Sequence, residues 1–263
     1  MYKLFISDLD DTLLDPQKRW PRGFDAFRQV LQKKQIEFTL ATGRSGQAVQ
    51  AVVDNLNLRI PYVTSNGANI MRDGKVIKSF AVPIGPLESL IKKALDQEMA
   101  IIYVVDGVEY ALATHPFFTG SEKQNFTHQK IRPLSQNDYQ QLNIEKLLLI
   151  DDHPDTVLDR LFKLTDDLDS AYTSFTYSDW AMDIVGTKVN KGSALKWLAD
   201  YFNLEMEQVI AAGDNHNDVP LLEAAGYSIA AKNSIKTLQE LADVTASQSH
   251  GLGVIQEVLK IID

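Results

Sequence analysis

Residues Tyr2–Leu14 read YKLFISDLDDTLL, a stretch that joins an apolar run to a group of carboxylates. Leu4-Phe5-Ile6 is typical of a buried β-strand. Three aspartates follow within four positions: Asp8, Asp10 and Asp11. Carboxylates this close together are costly unless a cation compensates their charge. Because open α/β sheets place their ligands at the carboxyl ends of the strands, the stretch predicts a site in which one aspartate reacts and a cation stabilises the group.

The segment that follows alternates between helical and extended patterns. Apolar side chains at helical spacing predict a helix over residues 22–34. Strands are predicted over residues 37–41 and 62–65, with a second helix between them. Asp73-Gly74 marks a small hairpin after the third strand. This βαβαβ order is typical of the first half of a doubly wound parallel sheet.

The middle of the chain has a different pattern, in which helices are mixed with antiparallel hairpins. The first pattern returns after residue 185. We therefore predict an α/β protein with a doubly wound, Rossmann-like parallel sheet core and an inserted α+β cap domain. The predicted core comprises residues 1–82 and 186–263, and the predicted cap comprises residues 83–185.

Composition excludes several classes of function. The chain has 263 residues, a net charge of -9 and no marked cluster of Lys and Arg, so we expect neither a nucleic acid nor a membrane as a partner. The absence of cysteine excludes a thiol nucleophile, a cysteine-ligated zinc and a disulfide scaffold. The N-terminal apolar run is too short for a signal peptide, and a cytoplasmic location is expected.

Polar side chains follow several of the predicted parallel strands, and this set suits phosphoryl transfer, which needs positioning and charge neutralisation. A divalent cation with oxygen ligands, with Mg²⁺ as the expected ion, would compensate the carboxylates. Lys191 begins a predicted helix, where a cation opposes the helix dipole and needs an anionic partner such as a phosphate. The candidate residues are Asp8, Asp10, Thr42, Gly43, Arg44, Lys191, Asp214 and Asp218.

Four of these segments together resemble a known family. The sequences DLDDT, TGR, NKG and GDNHND resemble the four motifs of the haloacid dehalogenase (HAD) superfamily. The spacing, the insertion between the second and third motifs, and Asn66-Gly67-Ala68 are similar to its Cof-type phosphatases, subclass IIB. The resemblance covers essentially the whole chain, and it implies a Mg²⁺-dependent phosphatase that acts on a small phosphorylated metabolite.

The resemblance also implies roles for the first motif and for the metal site. Asp8 would be the nucleophile that forms an aspartyl-phosphate. Asp10 would be the general acid and then the base, with its backbone carbonyl facing the metal. Asp214 would be a direct metal ligand, and Asp218 would act on the metal indirectly or through a water molecule.

The remaining motif residues would contact the phosphate. The resemblance implies this role for the Thr42 hydroxyl, the Lys191 ammonium and the Asn217 amide, and the Gly43 amide is a further candidate donor. For three residues the sequence leaves more than one role open. Arg44 would contact the substrate or the cap, or form a structural ion pair, and Asn66 and His216 would belong either to the site or only to their turns.

The sequence also leaves open the substrate and the type of activity. Sugar phosphates are the first expected substrates, followed by phosphorylated cofactors such as flavin mononucleotide or pyridoxal phosphate, and these classes rest on family analogy. A phosphosugar mutase of the same superfamily would use the same nucleophile. A phosphate-binding protein without turnover is the alternative from another class. The expected oligomeric state is a monomer or a homodimer.

Overall fold

The computed structural model describes residues 1–118, 130–151, 157–166, 168–178 and 180–262. Within these ranges, no helix combines the length and the apolar character that a membrane span requires. The strands are β1 (Leu4–Ser7), β2 (Glu37–Leu40), β3 (Tyr62–Thr64), β4 (Asn69–Arg72), β5 (Lys75–Ser79), β6 (Val82–Pro83), β7 (Ala100–Val105), β8 (Val108–Ala111), β9 (Lys130–Ile131), β10 (Asn143–Ile144), β11 (Lys146–Ile150), β12 (Tyr172–Ser178), β13 (Ala181–Gly186), β14 (Val209–Gly213), β15 (Tyr227–Ala230) and β16 (Val244–Thr245). The helices are α1 (Phe24–Lys33), α2 (Gly46–Leu56), α3 (Glu88–Asp96), α4 (Gln136–Gln141), α5 (Val157–Thr165), α6 (Lys191–Phe202), α7 (Val219–Ala224), α8 (Lys236–Leu241) and α9 (His250–Ile262).

The central sheet has the strand order β16-β15-β14-β1-β2, and all of its neighbouring strands are parallel. A parallel bridge between Ala41 and Val63 attaches β3 beyond β2, and β4 and β5 continue as antiparallel strands. The chain therefore winds from β1 in one direction through β2 and β3, and later in the other direction through β14, β15 and β16. The predicted fold class, an α/β fold with a doubly wound parallel sheet, is confirmed.

Strand β1 shows how this sheet is covered on both faces. Phe5 packs in one apolar cluster, and Leu4 and Ile6 pack in another. The first cluster takes apolar side chains from α1, α2 and α9, and the second takes them from α6, α7 and α8. Since helices cover both faces, a central strand needs apolar residues at consecutive positions. This requirement explains the apolar run with which the chain begins.

A second sheet, formed by the middle of the chain, has the order β12-β13-β11-β7-β8-β9. Its strands are antiparallel except for the pair β8 and β9. Leu147 and Leu149 of β11 point to the face that packs against α3 and α5. Lys146 and Leu148 point to the opposite face, and Lys146 Nζ reaches the carbonyl of Gly43, 2.9 Å away. This second face is therefore turned toward the turn that follows β2.

We propose that the two sheets define two structural units. The strands of the second sheet all lie within residues 100–186, and those of the central sheet lie before and after this range. The division predicted from the sequence, with a core of residues 1–82 and 186–263 and a cap of residues 83–185, is kept as a proposal. The words core and cap refer to these ranges below.

Candidate active site

The carboxylate of Asp8 lies at the carboxyl end of β1, in the middle of the central sheet. The amide of Asp8 donates to the carbonyl of Ala212 at 2.9 Å, which extends the pairing of β1 with β14 by one residue. Asp8 is buried, with 6% of its surface exposed. It lies where the winding of the sheet changes direction, which is the place where open α/β sheets bind their ligands.

Two further carboxylates meet Asp8 at this edge of the sheet. Oxygen atoms of Asp8, Asp214 and Asp218 all lie within 4.8 Å of one another. The backbone amides of Asp214 and Asn215 each donate to Asp218 Oδ2 at 3.0 Å, so the loop after β14 is folded around this side chain. Gly213 is needed here because a Cβ atom at this position would lie 2.4 Å from Asp218 Cβ. The loop therefore carries two acidic side chains to the end of β1.

Lys191 contributes an ammonium group to the same cluster. It is fully buried at the first position of α6. Its Nζ lies 2.5 Å from Asp8 Oδ1 and 2.6 Å from Asp218 Oδ1. Asn190 caps the helix by accepting a hydrogen bond from Ser193 N at 2.8 Å. The anionic partner that a lysine at a helix N-terminus requires is thus a pair of carboxylates in this structure, and the predicted contact with a phosphate stays a prediction.

The charges of this cluster are not balanced. Burial raises the pKa of Asp8 well above its usual value, with a further contribution from Asp218, while Lys191 opposes the change. Burial and the charge of Asp218 raise the pKa of Asp214 to about 7, although Thr12 Oγ1 donates to Asp214 Oδ1 at 2.5 Å. One ammonium does not neutralise three carboxylates. The remaining negative charge and the oxygen ligands fit a divalent cation.

The carboxylate of Asp10 is held by two basic side chains instead. Arg44 donates to both of its oxygens, from Nε at 2.7 Å and from Nη2 at 2.6 Å, and Lys18 Nζ donates at 2.8 Å. Burial alone would raise the pKa of Asp10, but the hydrogen bonds and charges of Arg44 and Lys18 outweigh it and lower this pKa. Of the alternatives for Arg44, the structure therefore shows an ion pair within the site. The side chain of Asp10 lies outside the group of three carboxylates found among the described residues.

The turns after β2 and β3 lie side by side at the same edge. Thr42 N donates to the carbonyl of Val63 at 3.0 Å, and Asn66 N donates to the carbonyl of Thr42 at 3.1 Å. Asn66 is buried and has a left-handed conformation with φ of 56°. Its Oδ1 accepts a hydrogen bond from Asn217 Nδ2 at 2.9 Å. Asn66 is thus a turn residue whose side chain also contacts Asn217 of the fourth motif. His216, by contrast, is exposed.

Several contributors were missed in the sequence. Lys146 and Asp183 contact the turns after β2 and β3, and Glu109 Oε1 accepts a hydrogen bond from Ser45 Oγ at 2.7 Å. Lys146 and Asp183 lie in the apolar strand segments KLLLI and AMDIVG. A charged residue within a buried strand requires a partner, and this was the signal that could have revealed them. Two other contacts were also not predicted. Thr12, in the first motif, donates to Asp214, and Lys18, shortly after this motif, donates to Asp10.

The fold and this site define an enzyme class in which a buried aspartate at the end of a central strand meets a lysine and further carboxylates. The chain belongs to the haloacid dehalogenase-like hydrolases, whose family model matches residues 5–258. The resemblance predicted from the four motifs is thereby confirmed. The prediction that the chain is an enzyme of this superfamily is confirmed as well.

Individual relatives differ in how much of the chain they match. The phosphoglycolate phosphatase of Methanothermobacter thermautotrophicus is 34% identical over 139 residues, which cover 52% of this chain and 60% of that protein. The uncharacterized hydrolase C215.10 of Schizosaccharomyces pombe is 26% identical over 278 residues, which cover 99% of this chain and 90% of that protein.

Solved structures show the same fold. The HAD subclass IIB sugar phosphatase BT4131 superposes with a TM-score of 0.84 at 16% identity, over 99% of this chain and 100% of that one. At this level of identity the similarity shows a shared fold. The shared fold extends over the middle of the chain as well as over both ends.

Proposed function

We propose that this protein is a Mg²⁺-dependent phosphatase that hydrolyses a small phosphate monoester. The observation that carries the proposal is the buried Asp8 at the end of β1, with Lys191, Asp214 and Asp218 around it. This combination suits phosphoryl transfer, which depends on a positioned nucleophile and on neutralised charge. Relatives that are named phosphoglycolate phosphatase and sugar phosphatase support the same class of reaction.

Asp8 would act as the nucleophile. One of its oxygens attacks phosphorus, the bond between phosphorus and the leaving oxygen breaks, and an aspartyl-phosphate forms. Asp10 gives a proton to the leaving oxygen and later takes one from the water that attacks the aspartyl-phosphate. This hydrolysis restores the Asp8 carboxylate and releases inorganic phosphate. The Thr42 hydroxyl, the Gly43 amide, the Lys191 ammonium and the Asn217 amide would hold the phosphate oxygens during both steps.

The contacts of Asp10 set a condition for its role as an acid. Arg44 and Lys18 stabilise the carboxylate form, so Asp10 can carry a proton only when these contacts loosen. A bound phosphate offers Arg44 another anionic partner of suitable geometry. We therefore propose that Arg44 turns from Asp10 to the substrate. Arg44 would then pair with Asp10 in the free protein and contact the substrate when it is bound, as one of the alternatives from the sequence predicted.

The residues at this site fit a hard divalent cation. Oxygens of Asp8 and Asp214, with the backbone carbonyl of Asp10, would hold Mg²⁺. Asp218 would act indirectly, because its Oδ1 already accepts from Lys191 and its Oδ2 from two backbone amides. The bound cation supplies positive charge to the nucleophile and to the phosphate. The raised pKa values of Asp8 and Asp214 support this assignment, since burial and the neighbouring carboxylates disfavour the charged forms that a bound cation would stabilise.

The proposed substrate is a small phosphorylated metabolite, with sugar phosphates first and flavin mononucleotide or pyridoxal phosphate next. The cap would close over the site, exclude water during the first transfer and select the leaving group. We further propose a cytoplasmic protein that acts as a monomer or a homodimer, without a nucleic acid or a membrane as partner. The net charge of -9 supports this choice of partners.

A panel of phosphate esters, assayed with and without Mg²⁺, tests the proposed function. We expect release of inorganic phosphate that depends on Mg²⁺ and is fastest with sugar phosphates. Isomerisation of a sugar phosphate without release would identify the mutase instead. Binding of phosphate esters without any turnover across the panel would identify the phosphate-binding protein.

Metal binding is expected to become tighter as the pH rises through about 7, the pKa to which burial raises Asp214. Below this pH a proton competes with the cation for the carboxylate. The raised pKa also means that the folded state is penalised as the pH rises from the usual aspartate value toward 7, and a bound cation removes this penalty. We expect Mg²⁺ to raise the melting temperature markedly at about pH 8 and little at about pH 5.5.

Asp214→Asn is the control for this pH dependence. The amide does not titrate, so the difference between the two Mg²⁺-induced shifts should become smaller, and only the part that comes from Asp8 should remain. Equal Mg²⁺-induced shifts at both pH values in the unchanged protein would contradict the assignment of Asp214 as a metal ligand.

A further inference from the structure

A buried ion pair of the cap contacts the turns that follow β2 and β3. Lys146 of β11 and Asp183 of β13 are 4% and 1% exposed, and Lys146 Nζ lies 2.9 Å from Asp183 Oδ1 and 3.0 Å from Oδ2. Because Leu148 is the antiparallel partner of Asp183, the two charged residues are diagonal neighbours on the face turned to the core. Buried ion pairs add little net stability compared with apolar residues, so the contacts of this pair indicate another role.

Asp183 determines the direction of a chain of side-chain amides. Its Oδ2 accepts a hydrogen bond from Asn66 Nδ2 at 2.8 Å, and Asn66 Oδ1 accepts one from Asn217 Nδ2 at 2.9 Å. Since a carboxylate can only accept, Asn66 must turn its NH₂ group to Asp183 and its carbonyl oxygen to Asn217. Asn217 must then present its own NH₂ group, which keeps a second N–H for a phosphate oxygen.

Lys146 has a corresponding effect on the turn after β2. Its Nζ donates to the carbonyl of Gly43 at 2.9 Å. The N–H of the same peptide group belongs to Arg44 and donates to Thr42 Oγ1 at 3.1 Å. Because Thr42 Oγ1 accepts this bond, its own hydrogen is directed elsewhere and remains available to a ligand. Hydrogen bonds linked in one direction polarise one another, so the ammonium strengthens the Thr42 hydroxyl as a donor.

We propose that Asp183 and Lys146 are positioning residues that orient the phosphate-binding donors of the core. Asp183 acts on Asn217 through Asn66, and Lys146 acts on Thr42 through the peptide group between Gly43 and Arg44. The inference rests on the proposed function, because it assigns Asn217 and Thr42 to the phosphate. It has a consequence for the cap: the donors are oriented only while the cap contacts the core, since both charges belong to the cap.

The test measures the affinity of the full-length protein for inorganic phosphate by titration calorimetry with Mg²⁺ in excess, a readout that does not require turnover. Asp183→Asn removes the group that can only accept, and Lys146→Met removes the ammonium while keeping the length of the side chain. We expect each variant to bind phosphate about tenfold more weakly, which corresponds to about 1.4 kcal/mol. The kcat/KM for a phosphate ester should fall by a similar factor.

Glu109→Gln is the matched control. It changes another buried contact between cap and core, the one with Ser45. Glu109 lies close enough to Asp183 for its charge to act on that carboxylate, but it is not a member of the hydrogen-bond chain that joins Asp183 to Asn217. We expect its phosphate affinity to stay within about twofold of that of the unchanged protein. An equal loss of affinity in Glu109→Gln and Asp183→Asn would overturn the proposal, because general damage to the docking of the cap would then explain both.

The double variant Asp183→Asn/Lys146→Met separates positioning from stability. It leaves neither member of this ion pair as an unpaired buried charge, so we expect it to be more stable than Lys146→Met alone and still to bind phosphate at least about tenfold more weakly. Recovery of phosphate affinity together with stability would overturn the proposal, and so would folded single variants with unchanged affinity. Weak phosphate binding by the variants, with no ester hydrolysed by the unchanged protein, would refute the proposed function and leave the positioning role standing.

Discussion

Asp8→Asn is expected to lower the turnover number by at least about 10⁴-fold and to leave the protein folded. The amide does not attack phosphorus, so the aspartyl-phosphate does not form. The fold should tolerate the change because burial raises the pKa of Asp8 well above its usual value, and the folded state therefore gains little from the charged form. Lys191 keeps Asp218 as a partner at 2.6 Å. Steady-state kinetics and thermal unfolding measure the two effects.

Asp11→Asn is the matched control, because it makes the same change in the same loop. Asp11 has a φ of 59°, in the left-handed region that Asn adopts readily. Its side chain is outside the group formed by Asp8, Asp214 and Asp218. We expect activity within about twofold of that of the unchanged protein. If Asp8→Asn kept more than about one-tenth of the activity, another group would have to be the nucleophile.

Lys191→Met is expected to lower the free energy of unfolding by about 3–5 kcal/mol and to abolish measurable turnover. The substitution removes the charge that Asp8 and Asp218 share at 2.5 and 2.6 Å. Both carboxylates would remain buried without this cation, which is the costly situation for an ion pair inside a protein. Denaturant unfolding at about pH 8 measures the loss, and Mg²⁺ should restore part of it because it binds the folded state at the same carboxylates.

Lys236→Met tests whether the loss of unfolding free energy expected for Lys191→Met depends on the burial of the lysine. Lys236 is also the first residue of its helix, α8, but its side chain is 88% exposed and its Nζ lies 3.4 Å from Glu240. We expect a change within about 0.5 kcal/mol. Adding Asp218→Asn to Lys191→Met should recover stability, because one unpaired buried charge is removed. If Lys191→Met were as stable as Lys236→Met, the prediction that the charge of Lys191 stabilises the buried carboxylates of Asp8 and Asp218 would be wrong.

The order of strands and helices in the core was predictable because it depends on local patterns. The apolar run Leu4-Phe5-Ile6 suits a strand with helices on both faces, and the structure has this arrangement. The ends were less predictable. The helix predicted over residues 22–34 spans Phe24–Lys33, because Gly23 has a left-handed conformation with φ of 86° and the helix begins only after it.

The meeting of the acidic motifs was also predictable, since parallel strands bring their carboxyl ends to one edge of the sheet. Asp8, Asp214 and Asp218 do lie together, while their roles in catalysis and metal binding stay predictions. The choice of partners was not predictable. Arg44 follows β2 and Asp10 follows β1, and only the packing of these two turns made them an ion pair.

The sequence by itself determined the fold class, the family and the residues that meet at the end of β1, because local periodicity and motif spacing carry this information. The tertiary structure alone decided which charge neutralises which. Lys191 pairs with Asp8 across 183 residues, and Asn66 bonds to Asp183 across 117 residues. Such pairings depend on distances of about 3 Å between side chains, and those distances arise only when strands that are far apart in the chain pack against one another.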